Sequence, residues 1–212
     1  KERNKNMSKI IFLGSSVTYG SASEGRSFVE MLAEKYQLDY VKEAVSGTTL
    51  VDNGSQSYVQ RMIHNLDKRI ACQHFVCQLS TNDATQGLPL GKISISKKLD
   101  DFDTSTIIGA MEYVICYALD TWHCPVSFYT NTYYNSENYQ QMVDVLYQLK
   151  DKWNIGIIDL WNDEKMRNVQ KDKYDRYMAD VIHPTELGYR EWWMPKFERF
   201  FDFKKKFNKG NN

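Results

Sequence analysis

The stretch Lys9-Ile-Ile-Phe-Leu-Gly14-Ser-Ser-Val-Thr-Tyr-Gly20 decides how the chain folds. Its first half is a short, β-rich apolar run ending in glycine, which reads as a buried strand. Its second half is made of glycine and hydroxyl side chains. The glycines permit a tight turn at the strand end, and a serine there stands exposed beyond the sheet.

Working outward, residues 25–36 place Phe28, Val29, Leu32, Ala33 and Tyr36 on one helical face. Residues 39–45 form a second strand candidate. Residues 58–70 are helical, with Met62, Ile63 and Leu66 as the apolar stripe, and 74–79 read as a third strand. A helix over 104–121, a strand over 125–130, a helix over 136–153 capped by Ser136 and a strand over 155–160 follow. The last helical region starts at Pro184, whose fixed φ suits a first helical position, and Pro195 is expected to kink or divide it before Phe203. Strand and helix alternate without an internal repeat. That predicts an α/β fold, a three-layer α/β/α sandwich on a five-stranded parallel sheet, as one domain over residues 9–203 with flexible ends at 1–8 and 204–212. Ligands in such folds bind beyond the C-terminal ends of the strands, so the segments after each strand carry the chemistry.

Composition narrows the function. The chain has 212 residues, 42% apolar and 25% charged, with zero formal net charge. No overall field favours nucleic acid or an anionic membrane. Residues 107–119, the longest apolar stretch, are interrupted by Glu112 and cannot span a bilayer. Residues 10–13 are too short for a signal-peptide core, although the chain does not begin with Met and an upstream segment is compatible with that. Cys72, Cys77, Cys116 and Cys124 form no C-x-x-C pair and no metal-like cluster with the histidines, so buried free thiols and a cytoplasmic setting are expected. Neither a metal nor a cofactor is called for. Residues 84–103 are polar, carry Gly87, Pro89 and Gly91, and read as a long functional loop whose tip (87–91) is expected to affect ligand selectivity more than stability.

Four post-strand or C-terminal features matter. Gly14-Ser-Ser-Val-Thr-Tyr-Gly20 offers a nucleophile; the alternatives are a helix cap or a phosphate cradle of flavodoxin type. It is not the G-x-S-x-G elbow, because position 18 is threonine. Gly47, in Ala44-Val-Ser-Gly-Thr-Thr49, lets backbone approach a ligand. Asn82, in Leu79-Ser-Thr-Asn-Asp83, has an amide to aim at negative charge, or merely turns the chain. Asp180-Val-Ile-His-Pro184 spaces a carboxylate three residues from an imidazole, close enough to bond it, while Pro184 keeps His183 out of helical geometry. A surface Asp–His cap is the structural alternative. Together the four supply a nucleophile, a base, an orienter of the base and oxyanion donors.

In this order and placement the chain resembles the SGNH (GDSL-like) hydrolases, over residues 10–190. The resemblance maps the nucleophile to Ser16 in Gly14-Ser15-Ser16, with Ser15 where the family usually has aspartate. It maps the second block to Gly47, and the third to Asn82, with Ser80 in place of a glycine. Asp180 and His183 meet the D-x-x-H block. The resemblance therefore implies a flavodoxin-like SGNH hydrolase fold and a serine esterase with the triad Ser16, Asp180 and His183. Its oxyanion hole would be the Ser16 and Gly47 amides with the Asn82 side chain. The expected partner is a small ester, a short-chain (acetyl) ester of a carbohydrate foremost, with Tyr19, Tyr133, Tyr134 and Trp161 as candidate cleft residues. A lysophospholipase or thioesterase is the alternative within the family. A flavodoxin-like binder or an inactive carbohydrate-binding relative is the alternative outside it.

Overall fold

A computed structural model describes residues 8–203. The expected flexible ends, Ser8 apart, lie outside the described residues. Strand β1 (Lys9–Gly14) runs into a single helical turn, α1 (Ser16–Tyr19), and then α2 (Phe28–Tyr36). Next come β2 (Tyr40–Ala44), α3 (Tyr58–Asn65), β3 (Cys72–Gln78) and the short α4 (Thr81–Thr85). Helix α5 (Ile107–Trp122), β4 (Val126–Tyr129), α6 (Glu137–Trp153) and β5 (Gly156–Ile158) complete the sheet unit. Short helices α7 (Glu164–Arg167) and α8 (Lys171–Tyr177) precede a C-terminal run of α9 (Glu186–Gly188), a π-helical turn (Tyr189–Trp193) and α10 (Met194–Phe201).

The sheet is parallel throughout, in the order β2-β1-β3-β4-β5. Its order reverses between β1 and β3, which opens a crevice at the C-terminal strand ends. Alternation along β1 divides the core. Ile11 and Leu13 pack with Tyr58, Met62, Phe75 and residues of α5 and α6 on one face. Ile10 and Phe12 join Phe28, Val76, Tyr129 and Phe197 on the other. The second face is aromatic, with Phe28 stacked on Phe197 at 4.1 Å between ring centroids. This is the expected α/β sandwich on a five-stranded parallel sheet. No described helix is long and apolar enough to cross a membrane.

Several boundaries differ from the sequence reading for local reasons. Helix α2 begins at Phe28, not at 25, because Gly25 holds φ +76° and Ser27 forms a capping box with Glu30. Helix α3 stops at Asn65, where Leu66 turns extended. Ser136 caps α6 as expected, accepting from the Tyr139 amide. Pro184 is not a first helical residue: it pairs with Met178 in an isolated antiparallel bridge, and Thr185 caps α9 instead. The division expected at Pro195 appears as the π turn just before it. A proline nitrogen has no hydrogen to give the preceding turn.

Residues 84–103 are not a free loop. The Pro89 and Leu90 carbonyls accept the first two amides of α5, Ile107 and Ile108, at 2.8 and 2.9 Å. Glu112, fully buried on α5, receives the Ser94 amide, the Trp153 indole and the Lys152 ammonium. Lys152 also binds the Ser94 and Ser96 carbonyls. The segment is strapped to α5 and α6, so removing 87–91 strips the cap of a core helix. A loss of stability is therefore expected from that deletion beside any change in selectivity.

Candidate active site

Ser15 is fully buried and Ser16 nearly so, at the turn from β1 into α1. Gln78, a buried polar residue ending β3, fixes this turn. Its Oε1 accepts the Ser15 amide at 2.9 Å, the Thr18 amide at 3.2 Å and the Thr18 hydroxyl at 2.8 Å. The Ser15 hydroxyl is held by Tyr58 Oη at 2.9 Å, which turns it into the interior, while Ser16 is turned toward His183. As the first residue of its helix, Ser16 has an amide with no intrahelical acceptor.

Ser16 Oγ lies 2.8 Å from His183 Nε2. His183 Nδ1 lies 2.9 Å from Asp180 Oδ2 and 3.0 Å from Oδ1. A carboxylate at Nδ1 fixes the proton there, so Nε2 is the acceptor and the Ser16 hydroxyl the donor. Asp180 Oδ1 also receives the Ile182 and His183 amides, each at 2.8 Å. Partial burial pushes the Asp180 carboxyl upward, but these two amides and the His183 ring outweigh it and hold the group below the ordinary carboxylate range. The loop is anchored on three sides. The Ala179 amide donates to the His183 carbonyl at 2.9 Å, Asn131 Nδ2 to the Ile182 carbonyl at 3.3 Å, and the Met178–Pro184 bridge closes the base. Tyr189 Oη then donates to the Val17 carbonyl at 2.6 Å, tying the C-terminal helices to the serine turn.

Gly47 sits in the turn after β2 at φ +79°, and open space surrounds the position a Cβ would take. The Asn82-Asp83 pair grips the backbone that follows it. Asn82 Nδ2 donates to the Thr48 carbonyl at 2.7 Å, and the buried Asp83 carboxylate accepts the Leu50 and Val51 amides at 2.8 and 2.9 Å. Burial pushes the Asp83 carboxyl up against those hydrogen bonds. Arg61 joins the first two blocks from below: almost fully buried, it donates to the Gly14 carbonyl and Thr48 Oγ1, each at 2.9 Å, and pairs with Glu43.

The profile of the GDSL-like lipase/acylhydrolase family matches residues 12–191. The chain belongs to that family. It is an ester hydrolase by membership. Solved structures agree on the fold. One from Lactobacillus plantarum has a TM-score of 0.74 at 18% identity, covering 92% of this chain and 97% of its own. A Bacteroides ovatus structure designated a GDSL-like lipase has a TM-score of 0.66 at 17% identity, covering 92% and 98%. An acetyl xylan esterase has a TM-score of 0.63 at 17% identity, covering 91% and 98%. Comparison with curated proteins gave no match.

The aromatic candidates separate. Trp161 has no exposed surface; it is enclosed by Tyr133, Tyr134 and Tyr139, with its indole donating to Gln140 at 2.8 Å. Trp161 and the buried Tyr134 are therefore core residues and do not line a cleft, because the loop after β5 folds under α6. Tyr133 is exposed and carries the Arg167 guanidinium 4.0 Å over its ring. Tyr19 is exposed too, against Gly25 and beneath Lys42. Sequence reasoning missed Gln78, Arg61, Tyr58 and Asn131. For Gln78 a signal existed, a lone amide in the apolar run Phe75-Val-Cys-Gln-Leu79. For Arg61, nothing distinguishes a buried arginine from an exposed one in a helix.

Proposed function

We propose that the chain is a serine esterase that removes a short acyl group, acetyl foremost, from a carbohydrate or similar polar alcohol. The observation that carries this reading is the continuous path from Ser16 Oγ through His183 to Asp180. Ser16 attacks the ester carbonyl as His183 Nε2 takes its proton, and Asp180 stabilises the imidazolium that forms. The Ser16 and Gly47 amides and the second N–H of the Asn82 side chain receive the oxyanion. Losing one such donor costs about 100- to 1,000-fold in kcat. The tetrahedral intermediate expels the alcohol, which His183 protonates. Water, deprotonated by the same imidazole, then cleaves the acyl-enzyme and frees Ser16.

The substrate reading draws support from a groove of about 140 Å³ next to Gly47. It is lined only by glycine, threonine, serine, asparagine and glutamine, among them Asn53, Gln56 and Gln86. Uncharged amides and hydroxyls match sugar hydroxyls. That one structural neighbour is an acetyl xylan esterase agrees with the reading. The test is p-nitrophenyl acetate, butyrate and octanoate hydrolysis by wild type and Ser16→Ala. Activity that falls with chain length and vanishes in Ser16→Ala is expected. An inactive wild type, or an active Ser16→Ala, overturns the serine mechanism; preference for octanoate overturns the short-acyl reading.

A further inference from the structure

We propose that Cys72 and Cys124 are a disulfide-forming pair, closed by a small-molecule disulfide such as glutathione disulfide, at the end of the sheet away from the esterase site. Their Sγ atoms stand 3.2 Å apart in the reduced protein. Cys72 opens β3, and Cys124 lies two residues before β4. These strands are parallel neighbours, Phe75 opposite Val126, so the two cysteines lie side by side near the strands' N-terminal ends. Ser16, Gly47 and Asn82 follow the C-terminal ends. A disulfide bond measures about 2.05 Å, so closure needs an approach of about 1 Å. Sequence neighbours do not supply this contact; 52 positions separate the pair.

The two thiols differ in a way that gives each a role. Cys72 is half-buried and reachable from solvent, whereas Cys124 is buried. One thiol donates to the other across this contact, and the contact, with the His74 and Ile11 amides, favours a thiolate at Cys72 against the opposing effect of burial. The same contact, then burial, pushes Cys124 up. Cys72, the thiol on the more exposed residue, is thus the one that meets a small disulfide first and attacks it as thiolate. It displaces one glutathione thiolate from the disulfide and forms a mixed disulfide. Cys124, deprotonated as it attacks, displaces the second glutathione from Cys72. Two protein thiols are oxidised to one disulfide, and one glutathione disulfide is reduced to two glutathione molecules. Cys77, fully buried in β3, and Cys116, whose S–H points at the Lys97 carbonyl, are left as thiols.

The purified full chain, equilibrated with glutathione disulfide, acid-quenched, denatured and alkylated, is read by intact mass and non-reducing peptide mapping. The expected result is two alkylated thiols in place of four, a Cys72–Cys124 cross-link, and no cross-link in Cys72→Ser. Closing so long a loop restricts the unfolded chain, so the oxidised protein should melt several degrees higher than the reduced one. Hydrolysis of p-nitrophenyl acetate should be the same in both forms. Four alkylated thiols, a glutathione adduct left unresolved on Cys72, or a link between other cysteines would each overturn the proposal. The wild-type mass measurement alone decides it, even if Cys72→Ser fails to fold.

Discussion

Ser16 Oγ and His183 Nε2 stand 2.8 Å apart although 167 positions separate the two residues. The contact is built from both ends. Gln78 and Tyr58 aim the serine turn from within the sheet, while Asn131 and the Met178–Pro184 bridge hold the histidine loop. Tyr189 closes the arrangement by bonding the serine turn itself. Exposure rises along these three residues, from nearly buried Ser16 to the half-exposed Asp180.

Ser15 is the first residue to test, because it stands beside the proposed nucleophile Ser16 and its hydroxyl is turned inward to Tyr58. Ser15→Ala leaves the buried Tyr58 hydroxyl without its acceptor, which costs about 1–3 kcal/mol of stability. Esterase kcat should stay within a few-fold of wild type. Urea unfolding and p-nitrophenyl acetate kinetics on one preparation separate the two effects.

For Asp180 the expected loss is graded. Replacing an enclosed triad aspartate by asparagine costs roughly 10⁴-fold in kcat. The Asp180 side chain is 57% exposed, so water substitutes in part and Asp180→Asn should lose less. A pH signature accompanies it. The carboxyl is lowered in the folded chain, so its stabilising share is present above the unfolded value of about 3.9 and is lost as pH falls through the folded value. The stability gap between wild type and Asp180→Asn should therefore hold steady at neutral pH and close only in acid. A gap that widens in acid contradicts the assignment.

Arg61 should matter to both folding and rate. Arg61→Met removes donors from the Gly14 carbonyl and Thr48 Oγ1 and the cation from the partly exposed Glu43, and leaving these buried acceptors unmet costs about 1–3 kcal/mol. If it positions the Ser16 and Gly47 turns, the surviving folded fraction has lower kcat with little change in KM. A lower folded fraction with normal kcat per folded molecule would make Arg61 purely structural.

The groove beside Gly47 gives a selectivity test. Asn53→Ala, Gln56→Ala and Gln86→Ala combined should raise KM for an acetylated xylo-oligosaccharide about tenfold. KM and kcat for p-nitrophenyl acetate should hold, since that ester has no sugar to bind. Equal effects on both substrates would remove the groove from substrate binding.

Lys152→Met addresses the strap formed by residues 84–103. It leaves Glu112, with no exposed surface, without a counter-charge, and should cost about 3–5 kcal/mol. Equilibrium denaturation measures this. An unchanged midpoint would show that the strap contributes little.

Much of this was legible before any fold. Strand β1 is an apolar run ended by Gly14, and the alternation of such runs with helical stripes implies a parallel sheet, because each crossover must bury its face. Ser16, Gly47, Asn82, Asp180 and His183 were visible as residue types in order, and Asp180 could reach His183 because only three positions separate them. Local chemistry also determined the Ser136 cap. Partnership across the sheet was decided by the tertiary structure alone. Nothing in the chain says that Gln78 receives the amide of Ser15, that Arg61 is buried, or that Trp161 faces inward and Tyr133 outward. Each depends on which surfaces the crossovers bring together, and a side chain's burial is set by neighbours distant in sequence. The Cys72–Cys124 contact belongs to the same class. Sequence determines what can react, through composition and short-range spacing, whereas the sheet order determines what meets, because parallel strands join residues that the intervening helices keep far apart along the chain.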